Sequence, residues 1–396
     1  KKKSVIHIVF LTNDDFFVFI YDLVFFGIVS FESNHHTARA RLHRFGYLVS
    51  CSNQVQDSIV GWSDAVKVVC KAFFNAGTLP VFDYRDIREK GAELITTGGQ
   101  APGPEPLRIC IESLTKLLRK AVGRKLEPIE VHDMACIIAD AVLAGGIRRA
   151  AMIALFDRND EAMLTCKSGE WWKNNPARAR ANNSVVLLRG EVSEVEFYEL
   201  MERVEDSGCG EPGVYWTNNK DWGTNPCCEI ALRPYQMCNL TEINAGAIKT
   251  QRDFNEAASA ASFIGTLQAG YTDFHYLNPK WRLACEKEAL LGVSMTGIAS
   301  GTVEKLDMEW ASQCVVDTNV EIAAKLGINP AARSTCVKPA GTTSLVLGTS
   351  SGIHAWHAAY YIRRMRAGKD EALAQYMMKA APGLVEQDVT RESSGS

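Results

Sequence analysis

Apolar residues recur at helical spacing along much of the chain. Ser63 stands where a helix N-cap is expected and Gly77 where that helix should stop. Gly145-Gly146 follow a stretch that is apolar on most sides, which predicts a buried helix. The spacing predicts helices over residues 63–76, 106–122, 131–144, 195–204 and 320–326.

Short β-rich runs separate these helices. They cover residues 151–156, 184–188 and 335–337 and consist mostly of Val, Ile, Leu, Met, Phe and Ala. Helices that alternate with apolar strands are typical of an α/β protein with a mainly parallel sheet. We find no internal repeat, low-complexity tract or clear linker, so the pattern predicts one main domain.

The N-terminal segment, residues 1–46, has a different pattern. Phe16–Tyr21 and Leu23–Val29 form a nearly continuous apolar run that only Asp22 interrupts. A transmembrane helix needs about 20 apolar residues, and no small-residue cleavage site follows as in a signal peptide. The pattern favours a buried β-rich segment, and its role is unclear.

The composition is that of an ordinary soluble protein with 396 residues, of which 46% are hydrophobic and 22% charged. A net charge of −3 provides no broad basic field, which argues against nonspecific polyanion binding but leaves a local anion site open. The 12 cysteines are too sparse for a disulfide scaffold and are not in CxxC pairs. Reduced thiols in a cytoplasmic protein are therefore expected.

One short segment, Asn225-Pro226-Cys227-Cys228-Glu229, carries unusual chemistry, and Cys238 follows Cys227 by eleven positions. Alternate residues of an extended stretch face the same side, so Asn225, Cys227 and Glu229 would share a pocket. A thiol between a hydrogen-bonding amide and a proton-accepting carboxylate suits chemistry on a polyol such as ribose. Structural cysteines or a zinc cluster remain alternatives, although adjacent cysteines fit a zinc knuckle poorly.

Two further segments are suited to binding anions. In the segment 338–344, a β-like run leads into Gly341 and three hydroxyl residues, so that backbone N–H groups and hydroxyls converge. Gly145-Gly146 allow close backbone approach, and Arg148 could contact a base or a phosphate. An ordinary turn and a helix C-cap followed by solvent-exposed arginines are the respective alternatives.

Together, these segments resemble the catalytic subunit of ribonucleotide reductase, and they look most like its adenosylcobalamin-dependent (class II) branch. The resemblance runs from about residue 47 to about residue 390 and is densest between 130 and 365. Gly352-Ile353-His354 and Tyr360–Arg364 add to it. It implies a ten-stranded α/β barrel of the ribonucleotide reductase and glycyl radical enzyme type over residues 47–396. The catalytic cysteine would lie on a central finger loop.

The resemblance also implies catalytic roles. Cys227 would carry the thiyl radical that abstracts the 3′-hydrogen of the ribose. Glu229 would accept the proton of the 3′-hydroxyl, and Asn225 would hold the substrate hydroxyls. Cys238 and Cys51 would reduce the 2′-position and end as a disulfide.

Ligands and partners follow from the same resemblance. The substrate is a ribonucleoside di- or triphosphate, and the cofactor is adenosylcobalamin. A thioredoxin-type external dithiol would re-reduce the enzyme, and a deoxynucleotide would act as effector. No metal ligand, nucleic-acid partner or membrane partner is predicted. The substrate phosphates would lie on Ala340, Gly341, Thr342, Thr343 and Ser344, and the substrate and effector loop would use Gly145, Gly146 and Arg148.

The chain departs from the family in two places. The stretch between Cys51 and Cys227 is too short for the insertion that gives monomeric class II enzymes an effector site. Such a site would then need a second subunit, as in a homodimer, or regulation is absent. Relatives also continue into further barrel strands and a tail with a cysteine pair, whereas the last cysteine here is Cys336. Either the chain is partial or re-reduction relies on the external dithiol.

Three rival interpretations stay open. A separate metal-containing subunit could supply the radical, but Tyr360-Tyr361 follow the phosphate segment too closely to match the tyrosine relay that this would need. A glycyl-radical enzyme would need a C-terminal glycine loop, and none is convincing. A zinc-stabilised nucleotide-binding protein without turnover is the third.

Overall fold

The computed structural model describes residues 7–11, 52–75, 77–94, 100–141, 143–144, 147–148, 151–274, 277–352, 354–362, 364–365, 367, 369 and 372–387. The chain divides into two compact units, the first from residues 1–220 and 364–396 and the second from residues 221–363. Of the N-terminal segment, residues 1–46, the structure describes one strand, residues 7–11. The assignment of residues 47–396 to a single barrel domain stays a prediction.

The first unit contains most of the strands. Up to residue 220 its elements are β1 (His7–Leu11), β2 (Ser52–Gln54), α1 (Ile59–Phe74), β3 (Val81–Asp83), α2 (Glu105–Lys120), α3 (Pro128–Ala141), β4 (Leu143–Ala144), β5 (Ile147–Arg148), β6 (Ala151–Asp157), α4 (Glu161–Leu164), α5 (Trp171–Asn174), β7 (Ala181–Leu188), α6 (Glu194–Asp206) and β8 (Gly213–Thr217).

The second unit is smaller and has longer helices. Its elements are β9 (Gly223–Thr224), β10 (Ala231–Leu232), β11 (Asn239–Asn244), α7 (Gln251–Ala269), α8 (Pro279–Glu288), β12 (Leu291–Thr296), α9 (Met308–Leu326) and α10 (Thr343–Leu347). A last helix, α11 (Ala372–Ala380), belongs to the first unit.

Helix boundaries correct three of the predictions. Helix α1 begins at Ile59 rather than at residue 63, because the Ser58 hydroxyl caps it by accepting the Gly61 N–H at 3.0 Å. Helix α3 ends at Ala141, and the two residues of β4 take up the end of the predicted range. The predicted helix over 320–326 is the last third of α9, which starts after its N-cap Asp307.

The sheet of the first unit has the strand order β1-β6-β7-β8. Strands β6, β7 and β8 run parallel, and β1 pairs with β6 in the antiparallel sense. Five consecutive residues of β6 are buried, which is typical of a parallel strand covered on both faces. The predicted α/β class with mainly parallel strands is confirmed.

A partly buried ion pair joins α3 to the segment before β7. The Arg178 guanidinium donates to both carboxylate oxygens of Asp133, at 2.6 and 2.7 Å, and to the Cys166 carbonyl at 2.6 Å. Burial alone would raise the pKa of Asp133, but the hydrogen bonds from Arg178 outweigh it and hold that pKa below its usual value. The pair is therefore ionised and fixes the two segments to each other.

The second unit is built on parallel strands. Strands β11 and β12 pair in parallel over six residues each, and residues 333–336 extend beside β12 with a parallel bridge from Thr335 to Val293. Helices α7 and α9 pack on one face, where Ile243, Phe254, Ala258, Val293 and Val315 form the core. In this βαβαβ order the helices cover one face of the strands, so the opposite face carries a separate set of side chains.

The face opposite the helices is polar. Because side chains alternate along a strand, residues of even number on β11 and β12 point away from the apolar core. They include Glu242, Asn244, Ser294 and Thr296. Among the described residues, Glu242 Oε1 and Asn244 Oδ1 are buried and have no hydrogen-bond partner. Such a face is suited to holding a polar ligand.

Candidate active site

The segment with Cys227 forms the loop of a hairpin. Strands β9 and β10 pair in the antiparallel sense on either side of it. The Cys228 N–H donates to the Asn225 carbonyl at 2.9 Å, and Cys228 has a φ of 64°. Residues 225–228 are therefore a turn, and the predicted extended conformation was wrong. The turn leaves Cys227 exposed near its tip.

Asn225 is fully buried and holds the loop closed. Its Oδ1 accepts the Ile230 N–H at 2.9 Å, and its backbone N–H donates to the Ile230 carbonyl at 3.3 Å. Its Nδ2 is buried and has no hydrogen-bond partner among the described residues. An unsatisfied buried donor is costly, so this amide is suited to binding an oxygen of a ligand.

Glu229 follows the turn and also lacks partners. Both of its carboxylate oxygens are buried without a hydrogen bond from any described residue. Its negative charge contributes to raising the pKa of both Cys238 and Cys336. The carboxylate therefore lies near two thiols.

The two thiols lie on either side of Gly292 in the central strand β12. A Cβ atom built on Gly292 would be 3.0 Å from Cys238 Sγ and 3.2 Å from Cys336 Sγ. Burial raises the pKa of Cys238 to about 12 and that of Cys336 to about 11. Both are protonated thiols at neutral pH, and no disulfide joins the described cysteines.

Several polar residues of this site were missed from the sequence. The Ser294 hydroxyl accepts the Lys338 N–H at 2.9 Å and hydrogen-bonds the Cys336 thiol. Lys338 Nζ lies 3.9 Å from Glu242 Oε2. The β-rich run over 335–337 was the sequence signal that could have pointed to these residues, because it leads directly into the predicted phosphate segment.

The predicted phosphate segment is a turn that leads into a short helix. Ala340 is buried with a φ of 52°, and its carbonyl accepts the Ser344 N–H at 3.1 Å. Helix α10 begins at Thr343, so the first N–H groups of a helix lie at this segment, as an anion cradle needs. Gly341 and Thr342 are exposed.

Gly352 fixes this segment against the rest of the unit. A Cβ on Gly352 would lie 2.1 Å from the Lys338 carbonyl oxygen and 2.9 Å from that of Pro339. Its N–H donates to Thr296 Oγ1 at 3.4 Å. Only glycine allows this approach, which brings Lys338–Ser344 beside the end of β12.

Other predicted residues lie outside the described part of the chain. Cys51, Gly145 and Gly146 are among them, and Arg148 belongs to the two-residue strand β5, although its side chain is not described. The Cys51–Cys238 pairing and the substrate and effector loop therefore stay predictions. Asn225, Cys227, Glu229, Cys238 and the segment 340–344 all belong to the second unit.

Among the described residues, no group of three or more His, Cys, Asp and Glu side chains is arranged to hold a metal ion. None of the helices described is both long and apolar enough to cross a membrane.

No family model matches the sequence. The chain is 31% identical over 373 residues to the adenosylcobalamin-dependent ribonucleoside-triphosphate reductase of Euglena gracilis, which covers 85% of this chain and 49% of that protein. This chain is a homologue of the class II ribonucleotide reductases. The probable reductase of Dictyostelium discoideum is 28% identical over 356 residues, with 82% of this chain and 45% of that protein covered.

A bacterial relative and a solved structure are also similar to this chain. The reductase of Levilactobacillus brevis is 28% identical over 394 residues, covering 86% of this chain and 51% of that protein. A crystal structure of a B12-dependent (class II) ribonucleotide reductase superposes with a TM-score of 0.63 at 23% identity, covering 77% of this chain and 48% of that one. Over the matched part the fold is thus similar to that of this reductase, and the closed ten-stranded barrel stays a prediction. The chain spans about half the length of the relatives it matches.

Proposed function

We propose that this protein reduces ribonucleotides to 2′-deoxyribonucleotides by thiyl-radical chemistry, as part of a class II reductase. The observation that carries the proposal is the hairpin loop. An exposed thiol, Cys227, lies between a buried amide donor and a buried carboxylate that both lack partners among the described residues. A substrate with adjacent hydroxyl groups would satisfy the Asn225 donor and the Glu229 acceptor together.

Cys227 is proposed to carry the radical. Adenosylcobalamin, when bound, would supply the radical chemistry that removes the hydrogen atom of the Cys227 thiol. Cys227 is exposed, which is compatible with approach of the cofactor from outside the loop. The Cys227 sulfur would then take the 3′-hydrogen from the ribose. A separate metal-containing subunit is the rival source of this radical.

Glu229 and the thiols would complete the reaction. With its carboxylate unpartnered, Glu229 can accept the 3′-hydroxyl proton, while Asn225 Nδ2 donates to a substrate oxygen. Replacing the 2′-hydroxyl by hydrogen, with its oxygen lost as water, needs two protons and two electrons, which a dithiol releases when it becomes a disulfide. Cys238, a protonated thiol, would provide one half of the dithiol that supplies them, and Cys51 is the partner that the family resemblance implies.

The rest of the proposal concerns ligands and partners. The start of α10, with Ala340–Ser344, would bind the substrate phosphates. A thioredoxin-type dithiol would reduce the disulfide after each turnover. Gly145, Gly146 and Arg148 would respond to a deoxynucleotide effector in a homodimer.

The test is deoxynucleotide formation from ribonucleoside di- and triphosphates in excess dithiothreitol, with and without adenosylcobalamin. We expect product only with the cobalamin. The Cys227→Ser variant should form none while unfolding at the wild-type temperature, because an exposed side chain contributes little to stability.

Cys228→Ser is the matched control. Cys228 is also exposed, lies next in the chain and has no role in the proposed reaction. Turnover should persist in this variant. If Cys227→Ser retains turnover, or if both variants lose it equally, the proposed role of Cys227 is wrong.

A further inference from the structure

A lysine side chain crosses the polar face of the second unit. Lys338 lies on the extended segment beside β12, and its Nζ reaches to 3.9 Å from Glu242 Oε2 on β11. Ser294 lies between the two residues, because it is paired with Glu242 in the strand register and its hydroxyl accepts the Lys338 N–H at 2.9 Å. The lysine side chain therefore extends across the central strand β12 toward β11.

The backbone of Lys338 is fixed, but its charge is only loosely paired. A Cβ atom at Gly352 would lie 2.1 Å from the Lys338 carbonyl oxygen, so the two backbones are in close contact. A separation of 3.9 Å is longer than a hydrogen bond, and no described residue accepts one from the ammonium. Its N–H donors are therefore available to a ligand.

This charge lies between the two parts of the proposed substrate site. Ser294 is two residues beyond Gly292 and its neighbouring thiols, which is about 7 Å further along β12. The phosphate segment, Ala340–Ser344, begins two residues after Lys338 and contains no charged residue of its own. A nucleotide with its ribose at the hairpin loop and its phosphates on this segment would pass beside the ammonium.

One thiol of the site is affected by charges from both parts. Burial raises the pKa of Cys336 to about 11, and Glu229 adds to this rise while Lys338 opposes it. The carboxylate of the hairpin loop and the ammonium of Lys338 are therefore both close enough to act on the same sulfur.

We propose that Lys338 binds the substrate phosphate nearest the ribose. This role rests on the proposed function. Backbone N–H groups and hydroxyls alone are neutral, whereas a nucleoside di- or triphosphate carries several negative charges, which favour an ammonium as a further ligand. Lys338 thus adds the positive charge that Ala340–Ser344 lack.

Titration calorimetry of the full-length chain with inorganic pyrophosphate tests this charge without a base or a ribose. Lys338→Met should weaken binding about 10-fold or more, because a charge-assisted hydrogen bond is lost. Lys325→Met is the matched control, since Lys325 is exposed on α9 and pairs with Glu321 there. It should bind as the wild type does. Equal affinities of Lys338→Met and the wild type, or equal losses in the two variants, would overturn the proposal.

A second comparison removes the effect of an unpaired carboxylate. Lys338→Met leaves the buried Glu242 without its partner, which by itself could disturb the fold. The double variant Glu242→Gln/Lys338→Met carries neither charge, and Glu242→Gln keeps the lysine alone. The double variant should bind pyrophosphate about 10-fold more weakly than Glu242→Gln. If these two bind it equally, Lys338 is not a phosphate ligand.

Kinetics separate this proposal from the proposed function. Lys338→Met should raise the KM for a ribonucleoside diphosphate about 10-fold and change kcat less, as expected for a residue that binds the substrate away from the reacting atoms. Weaker pyrophosphate binding in the variant, together with no deoxynucleotide formation by the wild type, would contradict the function and leave the anion contact intact. Wild-type turnover with an unchanged KM in Lys338→Met would contradict the role of Lys338 alone.

Discussion

Replacing Gly292 by alanine perturbs the site at a crowded point. The new methyl group would lie 2.5 Å from Leu240 Cδ2, 3.0 Å from Cys238 Sγ and 3.2 Å from Cys336 Sγ. All three atoms end side chains, so they can move, but all three would have to move at once. We therefore expect a loss of stability rather than a failure to fold.

The magnitude follows from two opposing effects. Overpacking a well-filled interior costs about 1–3 kcal/mol. Replacing glycine within a strand returns about 0.5–1 kcal/mol, because alanine loses less backbone freedom on folding. The net loss lies between about 0 and 2.5 kcal/mol, and the middles of the two ranges give about 1 kcal/mol. A loss of this size lowers the melting temperature by about 2–4 °C for a unit of this size.

Calorimetric unfolding of Gly292→Ala and Gly270→Ala measures this difference. Gly270 lies in the same unit with a right-handed φ of −71°, and the nearest atom to its Cβ position is 3.4 Å away, an ordinary contact. Gly270→Ala should therefore unfold at or slightly above the wild-type temperature. The argument fails if Gly292→Ala unfolds as late as this control.

Further predictions concern charge and pH. Arg178→Ala should lower the free energy of unfolding in urea by about 3 kcal/mol, the lower end of the cost of breaking a buried pair, because His132 Nδ1 still lies 3.4 Å from the mostly buried Asp133 carboxylate. Arg85→Ala, whose side chain is 88% exposed, should lower it far less. Equal losses in the two variants would contradict this prediction. Because the fold raises the pKa of Cys238 and Cys336 from 9.0 to about 12 and about 11, the unfolded chain gives up these protons first. The free energy of unfolding should therefore fall as pH rises above about 9. In the variant with both Cys238 and Cys336 replaced by serine it should fall less steeply. Equal slopes for this variant and the wild type would refute the prediction.

Local patterns predicted much of the fold correctly. The apolar run over 151–156 is strand β6 almost to the residue, because a strand covered on both faces needs apolar residues throughout. Helix α7 was missed because its buried face consists largely of small residues such as Ala258, Ala261 and Ser262, whose spacing gives a weak apolar period.

The site was predictable where its parts are close in sequence. The amide, thiol and carboxylate of residues 225–229 were identified, but not their conformation, although Pro at the second position of a turn was a signal for it. Cys336 could not have been found this way. Only the register of the parallel strands brings it close to Gly292 and Cys238, and no local pattern encodes that register.

The order of the parallel strands also has a consequence for biosynthesis. Cys238 directly precedes the first strand of the βαβαβ unit. Cys336 belongs to the extended segment that is last in sequence, which makes backbone hydrogen bonds of 2.9–3.0 Å to Leu291 and Val293 of β12. A chain emerging from the ribosome exposes the first thiol long before the second exists, and such late, long-range contacts form slowly. In the native state, brief detachment of that last segment would separate the two thiols without unfolding the helices, so amide hydrogen exchange at Cys336 would report on the integrity of the site.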